Sequence, residues 1–306
     1  MTAAEFAAWR RGWRATTSAV GSGAPGENLA DRRVLVMGVL NVTPDSFSDG
    51  GRFFEPAAAA AHALEMVRDG ADLIDIGGES TRPGSAPVAA AEQVRRIVPV
   101  IEAVRRASAV AISVDTTRSA VAAAALDGGA DCINDISAGR DDPEMLALVA
   151  RRAAPVVLMH MRGTPATMQI NPRYGDVVAE VSAFLSDRLA AARAAGIDPA
   201  DVLIDPGIGF GKTVEHNLQL LRALPTLAAM GAPVVVGASR KRFLRTLWQG
   251  PAGAPQDVDD SAMLLAIAAT AAWAAGAGAA VVRVHDVGPI SGVLRVLGAI
   301  RSGQPA

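Results

Sequence analysis

One periodicity constrains this chain more than any other feature. Short, mostly apolar runs recur at Val34–Leu40, Asp72–Gly77, Val110–Asp115, Asp131–Ile136, Pro155–Met161, Val202–Pro206, Pro233–Gly237 and Ala280–His285. Runs of this length and composition suit strands buried on both faces. Alanine-rich stretches of helical length separate them, such as Pro56–Asp69, Ala90–Arg106 and Val177–Ala195. Several give way to glycine just before the next run, as at Gly70-Ala71-Asp72 and Gly129-Ala130-Asp131. Glycine there supplies the left-handed end of a helix. Eight strands alternating with helices predict an α/β fold, a single (β/α)8 barrel with its active site at the C-terminal ends of the strands. An open doubly wound sheet is the alternative, because a strand count does not prove closure.

Composition narrows the partners. The chain has 306 residues, half of them apolar but only 4% aromatic, so its core must be built from small and branched aliphatics. The formal net charge is -2, without the broad basic bias of a nucleic-acid binder. Basic residues concentrate in two short runs, Arg10 to Arg14 and Arg240 to Arg245, and the second suits a small anion. Cys132 is the only cysteine, so no intrachain disulfide forms and zinc spacing is absent. A reducing cytoplasm is the expected compartment. The uncharged run Ala262–Val282 reaches membrane-spanning length, but Gly276 and Gly278 split it. It is read as a buried helix, a turn and a buried strand, with no membrane partner. Residues 1–32 form an N-terminal extension, with Gly21 to Gly26 as a flexible linker, and residues 33–306 form the barrel. The extension is either an ordered cap or a tail.

A catalytic barrel should deliver polar groups where its strands end. The run ends here read Asn41, Gly78-Glu79-Ser80-Thr81-Arg82, Asp115-Thr116, Asn134-Asp135, His160, Asp205, Ser239-Arg240-Lys241 and Arg283 to Asp286. Taken alone, Asp115 also reads as a helix N-cap, Asn134 and Asp135 as turn formers, and His160 as a hydrogen-bonded core residue. Asp205 is more specific. It ends an apolar strand, where a carboxylate can accept paired hydrogen bonds from an aminopyrimidine edge. The following run, Pro206 to Thr213 (PGIGFGKT), fails as a phosphate loop because Pro206 stands where the first glycine is required. Lys241 and Arg283, with Arg82 and His285, could neutralise a diphosphate. The long loop Asn41–Gly51 reads as a lid or a surface turn. Together these features suit a polar heterocycle carrying an anionic tail.

The motifs have a joint resemblance. Asn41–Gly51 (NVTPDSFSDGG), Gly78–Gly84 (GESTRPG), Ser113–Thr116 (SVDT), Ile133–Ser137 (INDIS), Asp205–Lys212 (DPGIGFGK), Ser239–Lys241 (SRK) and Arg283–Val287 (RVHDV) resemble the dihydropteroate synthase family. Met159–Pro165 is similar to its fifth-strand segment. The resemblance implies a transferase of folate biosynthesis that joins dihydropterin pyrophosphate to p-aminobenzoate. It places Asp115, Asn134, Ile136, Met159, Asp205 and Lys241 around the pterin. Asn41, Arg283 and His285 would meet the diphosphate, with Asn41 also a ligand to Mg2+. Phe47, Ser48, Thr81, Arg82, Pro83, Phe210, Lys241 and Arg242 would frame p-aminobenzoate, and Asp49, Arg82, Asp115 and Lys241 would serve catalysis. A homodimer is also implied. Arg242 departs from the family, many members of which have serine after the SRK lysine, and this bears on sulfonamide response. Two rivals share the barrel: a pterin-dependent methyltransferase, which does not call for the lid, SRK or RVHDV, and an inactive pterin-binding paralogue.

Overall fold

The computed structural model describes residues 1–19, 33–43, 56–80, 84–250 and 258–304. Eight strands form one parallel sheet: β1 (Leu35–Asn41), β2 (Leu73–Gly77), β3 (Ala111–Asp115), β4 (Cys132–Asp135), β5 (Val156–Met159), β6 (Val202–Asp205), β7 (Val235–Val236) and β8 (Val281–Val284). Their order is β6-β5-β4-β3-β2-β1-β8-β7. The two ends of that order meet where Ile204 bridges Val234 in parallel and its N–H donates to the Pro233 carbonyl at 3.0 Å. That bridge closes the sheet into a barrel and removes the open-sheet alternative. β7 is shorter than the run Pro233–Gly237 because Pro233 has no N–H to give a ladder.

The helices are α1 (Ala3–Ala19), α2 (Pro56–Arg68), α3 (Ala90–Ala107), α4 (Ser119–Asp127), α5 (Met145–Arg152), α6 (Val177–Ala194), α7 (Val214–Arg222), α8 (Leu224–Ala228), α9 (Arg242–Gln249), α10 (Asp260–Gly276) and α11 (Val287–Ser302). Their starts carry local signals. Asp176 caps α6 by accepting from the Val178 and Ala179 N–H groups, and Asp259 caps α10 from Ala262. Such caps contribute about 1 kcal/mol each. Gly70 and Gly129, both at φ +105°, follow α2 and α4 as the sequence predicted. The uncharged run 262–282 divides into the body of α10, a turn with Gly278 at φ +99°, and the start of β8. Among the described residues no helix is long and apolar enough to cross a membrane.

Strand alternation sorts the core into two bodies. Val36, Ile74, Ile112, Ile133 and Ile204 face outward and pack with the helices. Leu35, Met37, Leu73, Ala111, Cys132, Val157, Leu203, Val235 and Val281 face the barrel axis and fill its lower part. Phe6 and Trp13 of α1 join that inner body, with Met1 and Trp9 packed against it. The chain start is pinned there, since Ala111 N–H donates to the Met1 carbonyl at 2.9 Å and Thr2 bridges Val110. Arg10 is buried beside the Phe6 ring and paired with Asp201. Phe6, Trp9 and Trp13 of α1 thus lie at the barrel floor, opposite the strand C-termini.

Candidate active site

The barrel axis changes character layer by layer. On β2 and β3 the register pairs Leu73 with Ala111, then Asp75 with Ser113, then Gly77 with Asp115. The floor is apolar, and charge begins one layer up. There Arg283 of β8 crosses the axis, with Nε donating to Asp75 Oδ2 at 2.6 Å and Nη2 to Asp115 Oδ2 at 2.8 Å. Asn134 donates from Nδ2 to the same Asp75 oxygen at 2.9 Å. Thus Asp115 caps no helix and Asn134 forms no turn. The turn is made by Asp135, which accepts from Ser137 N–H and Oγ–H at 2.7 Å and from Gly139 N–H at 2.6 Å. Asp75 went unseen in the sequence. It sits mid-strand in LIDIG, and only a partner 208 positions away gives it meaning.

The β6 end is built by a glycine-rich loop. Asp205 Oδ1 accepts from the Gly207 N–H at 2.6 Å. Gly207 lies at φ +68°, and a Cβ there would meet the His160 carbonyl oxygen at 1.8 Å, so only glycine fits. The loop brings Phe210 under Lys241, whose Nζ lies 3.9 Å from the ring centroid. Lys212, at the end of the loop, turns inward. Its Nζ reaches His160 Nδ1 at 2.9 Å and donates to the Phe210 carbonyl at 3.0 Å. His160 is therefore an acceptor for Lys212 rather than a ligand facing the cavity. Ile136, Met159 and Phe210 form an apolar cluster with Met161 and Met168. Met168 had no signal in the sequence beyond its type.

The third part is the rim of β1, β7 and β8. Asn41, Ser239, Lys241, Arg242, Arg283 and His285 line a cavity of about 610 Å³. Asp115 and Ile136 line an adjoining one of about 290 Å³, and Ser80 borders both. Gly77 lies beside both groups: a Cβ there would stand 3.4 Å from Asp115 Cβ and 3.9 Å from Asn41 Oδ1, in ordinary contact. Ser239 Oγ accepts from the His285 backbone N–H at 3.3 Å and meets its Nδ1 at 3.0 Å, which holds the ring in place. Arg240 is held outward by Asp286 at 2.7 Å, and Arg245 by the Val258 carbonyl at 3.2 Å. A second cavity of about 610 Å³, near Arg33, Asp72 and Arg295, holds none of the motif residues.

Comparison with known proteins bears on this arrangement directly. A profile of pterin binding enzymes matches residues 37–285, from β1 to the end of the β8 segment. The chain belongs to the pterin-binding enzyme family. Its relatives place it among the dihydropteroate synthases. The dihydropteroate synthase of Mycobacterium leprae is 49% identical over 87% of this chain and 93% of its own. The Xanthomonas albilineans dihydropteroate synthase solved with 4-aminobenzoic acid superposes with a TM-score of 0.81, at 46% identity over 89% of this chain and 94% of that one. The same enzyme with 7,8-dihydropteroate gives a TM-score of 0.78, at 43% identity over 90% of this chain and 96% of that one.

In this pterin-binding enzyme the charges are arranged against ordinary solution behaviour. Burial pushes Asp205 up to about 6, with Gly207 N–H, Arg283 and Lys241 pulling the other way. Burial likewise raises Asp115, while Arg283 favours its ionised form. Desolvation opposes the Arg283 charge, but Asp75 and Asp115 outweigh it and hold the guanidinium above its usual value. Lys241 is brought down to about 8 by burial and by Arg283, and Lys212 to about 7 by burial, with Asp205 acting the other way. His285 falls to about 3 through burial and the nearby Arg283 and Arg240. Burial and the neighbouring guanidinium groups thus disfavour the imidazolium in the site as it stands. Phe47, Ser48, Asp49, Thr81, Arg82 and Pro83 lie outside the described residues, as does the linker Gly21 to Gly26.

Proposed function

We propose that this enzyme condenses 6-hydroxymethyl-7,8-dihydropterin pyrophosphate with p-aminobenzoate, giving 7,8-dihydropteroate and pyrophosphate. One observation carries the reading: buried Asp205, Asp115 and Asn134 and the basic residues Lys241, Arg283 and His285 all stand at or near the strand C-termini of one barrel. The carboxylates suit the donor edge of a pterin, and the cations suit its diphosphate. The neighbours solved with 4-aminobenzoic acid and with 7,8-dihydropteroate carry one substrate and one product of the same reaction.

The assigned roles follow from that grouping. Asp205 accepts from the aminopyrimidine edge, Asp115 and Asn134 hold the ring, and Ile136 and Met159 contact its faces. As the C9–O bond breaks, charge grows on the leaving diphosphate, and Arg283, Lys241 and His285 stabilise it in a dry site. Asp115 favours the dihydropterin cation left behind, and the aniline nitrogen adds to it. The amine is nearly neutral, so no strong general base is needed. Phe210 and Lys241, with Arg242 at the rim, frame p-aminobenzoate. Asp49, Arg82 and the other loop residues keep the roles their motifs imply.

A magnesium ion fits this donor set in one particular way. Asn41 offers a single neutral amide oxygen, and among the described residues no cluster of three or more His, Cys, Asp or Glu is arranged for a metal. The site therefore suits Mg2+ carried in by diphosphate oxygens, with Asn41 as one ligand. When bound, Mg2+ neutralises charge on the leaving group. The homodimer reading rests on apolar side chains left exposed on α10 and α11: Leu265 at 60%, Trp273 at 56%, Val296 at 60% and Ile300 at 73%. Such a stripe on adjacent helices is unusual for a monomer. Light scattering should give twice the chain mass, and a monomer at micromolar concentration would reject the dimer. A cytoplasmic location and action on small molecules, with no membrane or nucleic-acid partner, belong to the same reading.

The decisive experiment mixes purified protein with dihydropterin pyrophosphate, p-aminobenzoate and Mg2+ and follows dihydropteroate and pyrophosphate together. Equal release of both, lost without Mg2+, supports the synthase. Pterin binding without product would point to the inactive paralogue, and methyl transfer from methyltetrahydrofolate to the methyltransferase.

A further inference from the structure

One carboxylate oxygen at the centre of the barrel holds two groups assigned to different halves of one substrate. Oδ2 of Asp75 accepts both from Arg283 Nε at 2.6 Å and from Asn134 Nδ2 at 2.9 Å. Asp75 is wholly buried, and its Oδ1 has no hydrogen-bond partner among the described residues. A buried charge with an idle oxygen costs the fold, and apolar residues in such places are often neutral or stabilising. One layer down on the same strands, Leu73 and Ala111 fill the axis without charge. Packing alone therefore does not call for a carboxylate here.

We propose that Asp75 is a positioning residue that couples the pterin half of the site to the diphosphate half, an inference that rests on the synthase reading. Arg283 Nη2 is held by Asp115 Oδ2 at 2.8 Å in this structure. A pterin ring donating to Asp115 competes for that acceptor and frees Nη2 for a phosphate oxygen. Asp75 meanwhile keeps the Nε edge fixed, so the guanidinium turns about a held edge and stays in the site. Asn134, donating to the same Asp75 oxygen, makes that edge sensitive to whether the ring is seated. Occupation of one half thereby improves the other, and the linkage is reciprocal.

Titration calorimetry on the full-length protein reads this coupling. Inorganic pyrophosphate with Mg2+ is titrated alone and then with saturating 6-hydroxymethylpterin. In the wild type the pterin should tighten pyrophosphate binding at least about five-fold, the low end of measured couplings. In Asp75→Asn each ligand alone should bind within about three-fold of wild type, because the binding atoms remain, while the ratio drops below about two-fold. Its kcat should fall at least about ten-fold with the KM for p-aminobenzoate unchanged, as for a loss confined to the transition state. General loosening would instead weaken both single affinities and leave the ratio alone. A wild-type ratio near one, or the full ratio in Asp75→Asn, overturns the proposal. If Asp75→Asn does not fold, Arg283→Lys carries the test. It keeps the charge but lacks the two-edged fork, so lost linkage supports the proposal and retained linkage overturns it. Failure of the wild-type enzyme to make dihydropteroate would overturn the synthase reading itself, which the coupling measurement alone does not touch.

Discussion

At the level of single residues, the site works by keeping charges where water would not leave them. In its proposed role Asp205 must be ionised to take a donor edge, and burial pushes it up to about 6. Pterin affinity should therefore fall as pH drops through about 6, and Asp205→Asn should weaken that dependence, leaving the part due to Asp115. The same variant should bind pterin at least about 2 kcal/mol more weakly at pH 8, the scale of a lost charged hydrogen-bond pair; equal affinities would reject the role. Lys212 shows the opposite linkage. Its folded value of about 7 lies below the ordinary 10.5, so between those limits the unfolded chain holds the proton and the folded one does not. Stability from this group thus rises with pH over that window. Urea midpoints measured from pH 7 to 10 should rise less steeply in Lys212→Met. Asp205, Lys241, Arg283 and His285 were legible in the sequence because each closes an apolar run or follows one within a few residues. Asp75, Ser239 and Lys212 were not assigned roles, because theirs depend on groups that only the closed ring brings near.

Among the elements, the segments between strands carry as much design as the strands. The loop Pro206–Thr213 is held from outside by the chain after β5: Gln169 donates to the Gly209 carbonyl at 2.7 Å and Tyr174 to the Gly211 carbonyl at 2.9 Å. The glycine spacing that failed as a phosphate loop is thus explained by close packing between two loops. Gly207→Ala should abolish pterin binding or lower stability by several kcal/mol, because its Cβ meets backbone at 1.8 Å and the φ of +68° is unsuited to alanine. Gly303→Ala, at φ +67° but with nothing within 4 Å, is the control for conformation without collision. A mild effect of the first, equal to the second, would show that the loop can give way. Helix extents followed the alanine-rich stretches to within one residue at α2, α3 and α6, since long apolar-periodic segments dominate their own ends. β7 was overestimated because proline and glycine look apolar in a run yet do not extend a ladder.

On the scale of the whole molecule, α1 and the barrel form one stability unit. Phe6 is almost fully buried against the inner core, far along the axis from the mouth. Phe6→Ala should cost about 3 kcal/mol in urea unfolding, as large-to-small aromatic changes do. Pterin affinity measured on the folded variant should stay within two-fold of wild type, roughly 0.4 kcal/mol; a larger loss would mean the floor shapes the site above it. The barrel itself was foreseeable from rhythm alone, whereas its floor was not. An alanine-rich opening segment looks the same whether it docks or hangs free, until Phe6, Trp9 and Trp13 are seen on the side that meets the axis.

Among the described residues that floor closes one end of the barrel and leaves the strand C-termini as its mouth. In the proposed arrangement what lies deepest has to arrive first and leave last, so p-aminobenzoate at the rim should queue behind the pterin. Initial-rate kinetics should then be sequential with a compulsory order, and dihydropteroate should compete with dihydropterin pyrophosphate alone. Traffic through this enzyme is scheduled at the end of the molecule where no chemistry happens.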